Sequence, residues 1–147
     1  MANYYGCTRT NYFAVTDPDK LKDIVDRIVW NEGRLGFLAE HDGRWAFGAY
    51  ACICGLHPDK AGEDQEAEDG CDDEWDTSAV YEALSEVIMP GDAAIITEVG
   101  YEKLRYFNAY AVIITRNHVE VEDLRSQALS RAQTLLGDPK YDTRMEY

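Results

Sequence analysis

The sequence predicts one α+β domain, an antiparallel-rich sheet of about six strands with three helices in the order β-α-β-β-loop-α-β-β-β-α. Three observations carry this prediction. Two segments repeat apolar residues at helical spacing, and a third ends in a glycine stop signal. Between and after them, β-branched and aromatic runs are joined by turns too short for parallel crossovers. Finally, no internal repeat or flexible linker divides the 147 residues, the length of one ordinary domain.

Tyr4 to Val15 is aromatic and β-branched and reads as a strand. It ends at "TDPDK", where Asp17 can cap a helix and Pro18 suits its first position. Leu21, Ile24, Val25 and Ile28 then fall on one face of a helix from about Pro18 to Trp30, with Asp19, Asp23 and Asp26 as a separate, acidic stripe. Leu35 to His41 and Arg44 to Cys54 flank an Asp-Gly hairpin turn. Along the second of these strands Trp45, Phe47, Ala49, Ala51 and Ile53 share one face.

An acidic stretch follows, Asp59 to Asp76, with almost no apolar periodicity and an expected loop conformation. Asp76 to Ser78 starts the second helix, whose buried face is Val80, Leu84, Val87 and Ile88; Glu82 and Glu86 form an exposed pair. Ala93 to Val99 reads as a buried strand, "GYEK" as a turn, Leu104 to Thr115 as its partner, and His118 to Glu122 as a short strand. The last helix, about Leu124 to Leu136, is closed by Gly137 with Pro139 beyond it.

Charge narrows the function classes. The formal net charge is −14 and the pI about 4.4, so phosphate backbones and anionic lipid would be repelled. Direct nucleic-acid binding and membrane association are not expected; basic proteins are. Ten of the 28 acids lie between Asp59 and Asp76 against a single base, Lys60. That concentration differs from the dispersed acidity of a salt-adapted surface. The start "MANYYGCTRTNYF" lacks the pattern of a secretory signal and no apolar window is long enough to span a membrane, so a cytoplasmic protein is expected. For the same reason the four cysteines, Cys7, Cys52, Cys54 and Cys71, are expected as free thiols.

Nothing in the sequence supports catalysis. There is no nucleophile elbow, phosphate-cradling glycine loop or metalloprotease helix, and His41, His57 and His118 are scattered through turns and strand ends. Cys52, Cys54 and His57 form C-x-C-x-x-H, with Cys71 as a fourth donor, but the spacing is unlike structural zinc knuckles, and no metal or cofactor is expected. A calcium loop read from Asp64 fails because the required glycine falls one place late, at Gly70, and Trp75 occupies the last ligand position.

Electrostatic mimicry of nucleic acid remains. The partner-binding candidates are Glu63, Asp64, Glu66, Glu68, Asp69, Asp72, Asp73, Glu74 and Asp76, supported by Asp19, Asp23 and Asp26. Fully extended, the acidic stretch spans at most about 60 Å, too dilute to match a duplex carrying one charge per ~1.7 Å. Mimicry therefore requires compaction, or the stripes Asp19/Asp23/Asp26, Glu82/Glu86 and Glu120/Glu122 on the same side. The alternative is a solvated insertion on an accessory interaction module, whose business is done by tyrosines such as Tyr4, Tyr5, Tyr12, Tyr141 and Tyr147 and which can self-associate as a homo-oligomer.

The segments "NYYGCTRTNYF" (Asn3 to Phe13), "EKLRY" (Glu102 to Tyr106) and "LGDPKYDTRMEY" (Leu136 to Tyr147) resemble a group of small acidic proteins carried by phages and conjugative elements of Gram-positive bacteria. The resemblance transfers no catalytic residues. By analogy of class it implies an anti-CRISPR or anti-restriction inhibitor, whose partner is a basic host protein such as a CRISPR effector or restriction nuclease.

Overall fold

A computed structural model of the chain describes residues 5–31, 35–58, 75–103 and 106–143. Among these the elements run β1 (Tyr5–Thr10), α1 (Pro18–Arg27), β2 (Ile28–Trp30), β3 (Phe37–His41), β4 (Arg44–Ala49) and β5 (Ile53–Leu56). They continue with α2 (Thr77–Val87), β6 (Ala94–Glu102), β7 (Tyr106–Ile114), β8 (Val119–Asp123) and α3 (Leu124–Leu136). The main sheet is antiparallel, in the order β3-β4-β1-β6-β7-β8, and β2 pairs with β5 in a separate two-stranded ribbon. The chain is thus an α+β domain with a six-stranded main sheet.

Local chemistry explains most boundaries. Asp42 and Gly43 both take positive φ, 51° and 77°, the pairing that a tight hairpin between β3 and β4 requires. The Asp17 carboxylate accepts from the amides of Asp19 and Lys20, and that of Asp76 accepts from Ser78, capping α1 and α2. Gly137, in the left-handed region, closes α3. Along β6 burial alternates strictly: Ala94, Ile96, Glu98 and Gly100 face in, and Ile95, Thr97, Val99 and Tyr101 face out.

The core lies on the inner side. Leu21, Ile24 and Val25 of α1 and Val80, Leu84 and Val87 of α2 pack with Phe13, Phe47, Ile96, Val112 and Ile114. Phe13 and Phe47 meet edge to face at 6.4 Å. Lys22 reaches over the Trp45 ring at 5.2 Å, tying α1 to β4. By contrast, α3 has no buried residue and touches β7 and β8.

Three expected boundaries are corrected. The first helix stops at Arg27, not Trp30, because Ile28, Val29 and Trp30 are extended and pair with β5, burying Ile28 and Trp30. Helical spacing alone could not reveal that pairing. The expected strand Arg44 to Cys54 is also broken: β4 ends at Ala49, and the chain crosses to the ribbon before β5. Side chains and backbone satisfy the crossing, since Thr8 Oγ1 donates to the Ala51 carbonyl at 2.7 Å and the Cys52 amide donates to Asn31 Oδ1 at 2.7 Å. The first strand likewise ends at Thr10, with Phe13 and Val15 continuing only as single bridges to Trp45 and Ile88.

Where β1 passes this crossing, a Cβ on Gly6 would overlap the Cys52 sulfur. Gly6→Ala should therefore cost roughly 1–3 kcal/mol through overpacking. Cys52→Ala in the same chain should recover part of the loss, read as denaturant midpoints in a double-mutant cycle.

Candidate functional site

The acidic stripe on α1 and the two ends of the acidic stretch come together. Asp19 and Asp26 are exposed on α1, and Asp23 accepts from Arg27 Nε at 3.0 Å. The same guanidinium donates through Nη1 to the His57 carbonyl at 3.0 Å, while the His57 amide donates to the Arg27 carbonyl at 2.8 Å. The far end returns to the same place. The Trp75 ring lies 5.6 Å from that of His57, and Gly55 leaves room for Trp75 and Asp76, which a Cβ there would approach to 3.0 Å.

Asp76 is exposed but serves as the cap of α2, so its carboxylate is partly committed. Glu63, Asp64, Glu66, Glu68, Asp69, Asp72, Asp73 and Glu74 lie outside the described residues. Glu82 and Glu86 are exposed on α2, which packs beside α1. Glu120 and Glu122 do not join them. They stand opposite Ile113 and Ala111, on the side of the sheet away from α1 and α2.

The cysteines divide. Cys7 and Cys52 take part in no disulfide, but Cys54 is disulfide-bonded, contrary to the expectation of four free thiols. Whether two sulfurs lie within bonding reach is a tertiary fact that their spacing along the sequence does not reveal. Cys71 lies outside the described residues, and a disulfide-bonded Cys54 does not offer the thiolate that the C-x-C-x-x-H reading needs. His41 and His118 are exposed and pair with Asp42 and Glu120, both at 3.3 Å. Among the described residues no group of three or more His, Cys, Asp or Glu is placed to hold a metal ion.

A buried polar cluster at Glu98 escaped the sequence reading. Glu98 is 6% exposed; its Oε2 accepts from the Ile53 amide at 3.1 Å and lies 3.1 Å from Thr8 Oγ1, whose single proton it shares with the Ala51 carbonyl. Its Oε1 accepts from the Tyr110 hydroxyl at 2.8 Å. The signal was present: Glu98 occupies the inward phase of an alternating strand between Ile96 and Gly100. Burial and the neighbouring Glu98 charge push the Tyr110 hydroxyl far above its usual range. Burial also raises Tyr81, partly offset by its hydrogen bond with Thr77.

The outer face of β1 and β6 is a second open surface. Tyr5 and Tyr101, each about half exposed, stand 5.7 Å apart, with Val99 and Phe107 also exposed. Beside them Cys7, Arg9, Asn11, Ile95, Thr97 and Val99 line a shallow concavity of 370 Å³. Arg9 is the only formal charge among the outward residues of β1 and β6.

No protein-family model, curated protein or solved structure matches the chain. Among the described residues no helix is long and apolar enough to cross a membrane.

The Glu98 cluster yields a test. Glu98→Ala strands the Ile53 amide without its acceptor and should cost roughly 3 kcal/mol, whereas Glu98→Gln keeps volume and one acceptor and should cost less. For Tyr110 the raised pKa leaves stability intact below the ordinary tyrosine value and removes it at higher pH. The unfolding free energy should therefore fall above about pH 10, and Tyr110→Phe should flatten that fall in denaturant titrations.

Proposed function

We propose that the chain is a non-catalytic, mobile-element-encoded inhibitor of the anti-CRISPR or anti-restriction type. It occupies the nucleic-acid site of a basic host effector with a carboxylate surface. The observation that supports this reading is the double engagement of Arg27 with Asp23 and with the His57 carbonyl. It roots the acidic stretch beside the α1 stripe. A chain of this length that leaves and returns at one root reaches no farther than about 30 Å from it, about half the extended span. In this reading the carboxylates of the stretch act together with those of α1, as mimicry requires. Glu120 and Glu122 take no part.

The proposed site of action is the bacterial host cytoplasm. Disulfides are uncommon there, so inhibition is expected to persist when the bond at Cys54 is reduced. A second reading, an accessory interaction module, draws support from the exposed Tyr5, Tyr101, Val99 and Phe107 on the open sheet face. In that reading the acidic stretch only keeps the protein in solution.

Affinity capture from host lysate on two baits separates the readings: the native chain, and one with the acids of Glu63 to Asp76 changed to Gln or Asn. Mimicry predicts that a nucleic-acid-handling protein is held by the native bait alone, is released by salt, and competes with its own DNA or RNA. Neutralisation should slow association by roughly 10- to 10³-fold. Equal retention on both baits would exclude mimicry and direct attention to the tyrosine-bearing face.

A further inference from the structure

We propose that the free edge of β8 is a docking site for an extended strand of a partner protein, and that this strand alternates basic with apolar residues. β8 ends the six-strand order, so one row of its backbone amides and carbonyls has no strand beside it among the described residues. Such a row is a template for strand addition unless it is blunted or covered.

The register with β7 defines what an incoming strand would meet. Val119 and Val121 stand opposite Ile114 and Val112, on the inner face, while Glu120 and Glu122 stand opposite Ile113 and Ala111, on the outer face. Ile114 and Val112 are fully buried, but one strand farther out Val119 and Val121 are 38% and 59% exposed. Val119 and Val121 lie outside the core that α1 and α2 cover, and the helix that touches β8 is α3. On the other face Glu120 meets His118 at 3.3 Å and Glu122 accepts from Gln127.

Acids on an edge strand are a common guard against aggregation, but guarding does not account for two uncovered valines on the core side of the same strand. Together they form a two-sided pattern that one kind of strand satisfies. Residues opposite the valines must be apolar, and residues opposite the glutamates must be Lys or Arg, because directly opposed pairs are the unit of sheet stability.

Charge also argues against a second copy of this chain as occupant. Antiparallel self-pairing centred on Val121 would set Glu120 against Glu122 twice, and centring it on Glu120 would oppose that residue to itself. The net charge of −14 adds to the repulsion. The proposal is independent of the acidic stretch, since β8 presents its glutamates on the side of the sheet away from α1; the two share only a cationic partner.

The test is amide hydrogen exchange on the full chain with two synthetic peptides, one alternating lysine and valine and one of the same composition with the two residues in blocks. Protection of residues 119–123 by the alternating peptide, with affinity about tenfold above the block peptide, supports the proposal. Glu120→Lys with Glu122→Lys should reverse the preference toward a peptide alternating glutamate and valine, with circular dichroism verifying the fold. Equal affinity for both lysine peptides, or protection confined to α1, would overturn the proposal without touching the mimicry reading. Protection of β8 that grows with protein concentration and needs no peptide would also overturn it, by identifying a second copy as the occupant.

Discussion

Glu98 ties the ribbon to the main sheet: flanked by Thr8 and Tyr110, its cross-strand neighbours on β1 and β7, its carboxylate also accepts from the Ile53 amide on β5. Burying a carboxylate costs several kcal/mol unless its lone pairs are satisfied, so these donors must be in place together. That requirement anchors β5 of the ribbon against the main sheet. The position of β5 in turn decides where His57 emerges, and with it the point on the surface from which the acidic stretch departs. Among the described residues no buried side-chain nitrogen or oxygen is left without a partner.

The same arrangement separates two surfaces of opposite character. On the helix side, Arg27 of α1 holds the root of the acidic stretch and neutralises Asp23, leaving Asp19 and Asp26 to solvent, and Glu82 and Glu86 are exposed on the neighbouring α2. On the open side of β1 and β6, aromatic and aliphatic residues surround one arginine. Like-signed carboxylates gathered on one side produce a directional field, whereas the same number spread evenly would give only solubility. This directionality, rather than the net charge, is what a phosphate mimic needs. The open face has the mixed aromatic character of a contact surface, so the described residues present two chemically distinct surfaces.

Much of this was determined by the sequence alone. The caps Asp17 and Asp76, the Asp-Gly turn, the Gly137 stop and the apolar faces of α1 and α2 are local, because each needs only neighbours within a turn or two of the chain. The span of α3 and the antiparallel succession β6-β7-β8 were legible for the same reason. The tertiary structure decided what depends on partners distant in sequence. Ile28 to Trp30 continue a helical spacing yet extend, since pairing with β5 buries them better. Arg44 to Cys54 reads as one strand yet divides, since Asn31 and Thr8 satisfy its backbone at the break. Glu98 lies in a segment that reads as a buried strand, but only the convergence of Thr8, Ile53 and Tyr110 supplies its carboxylate with partners. The acidic stretch follows the same rule: composition established its charge, but the contacts of His57 with Arg27 and Trp75 determined where it is rooted, because charge is a property of residues and position a property of long-range packing.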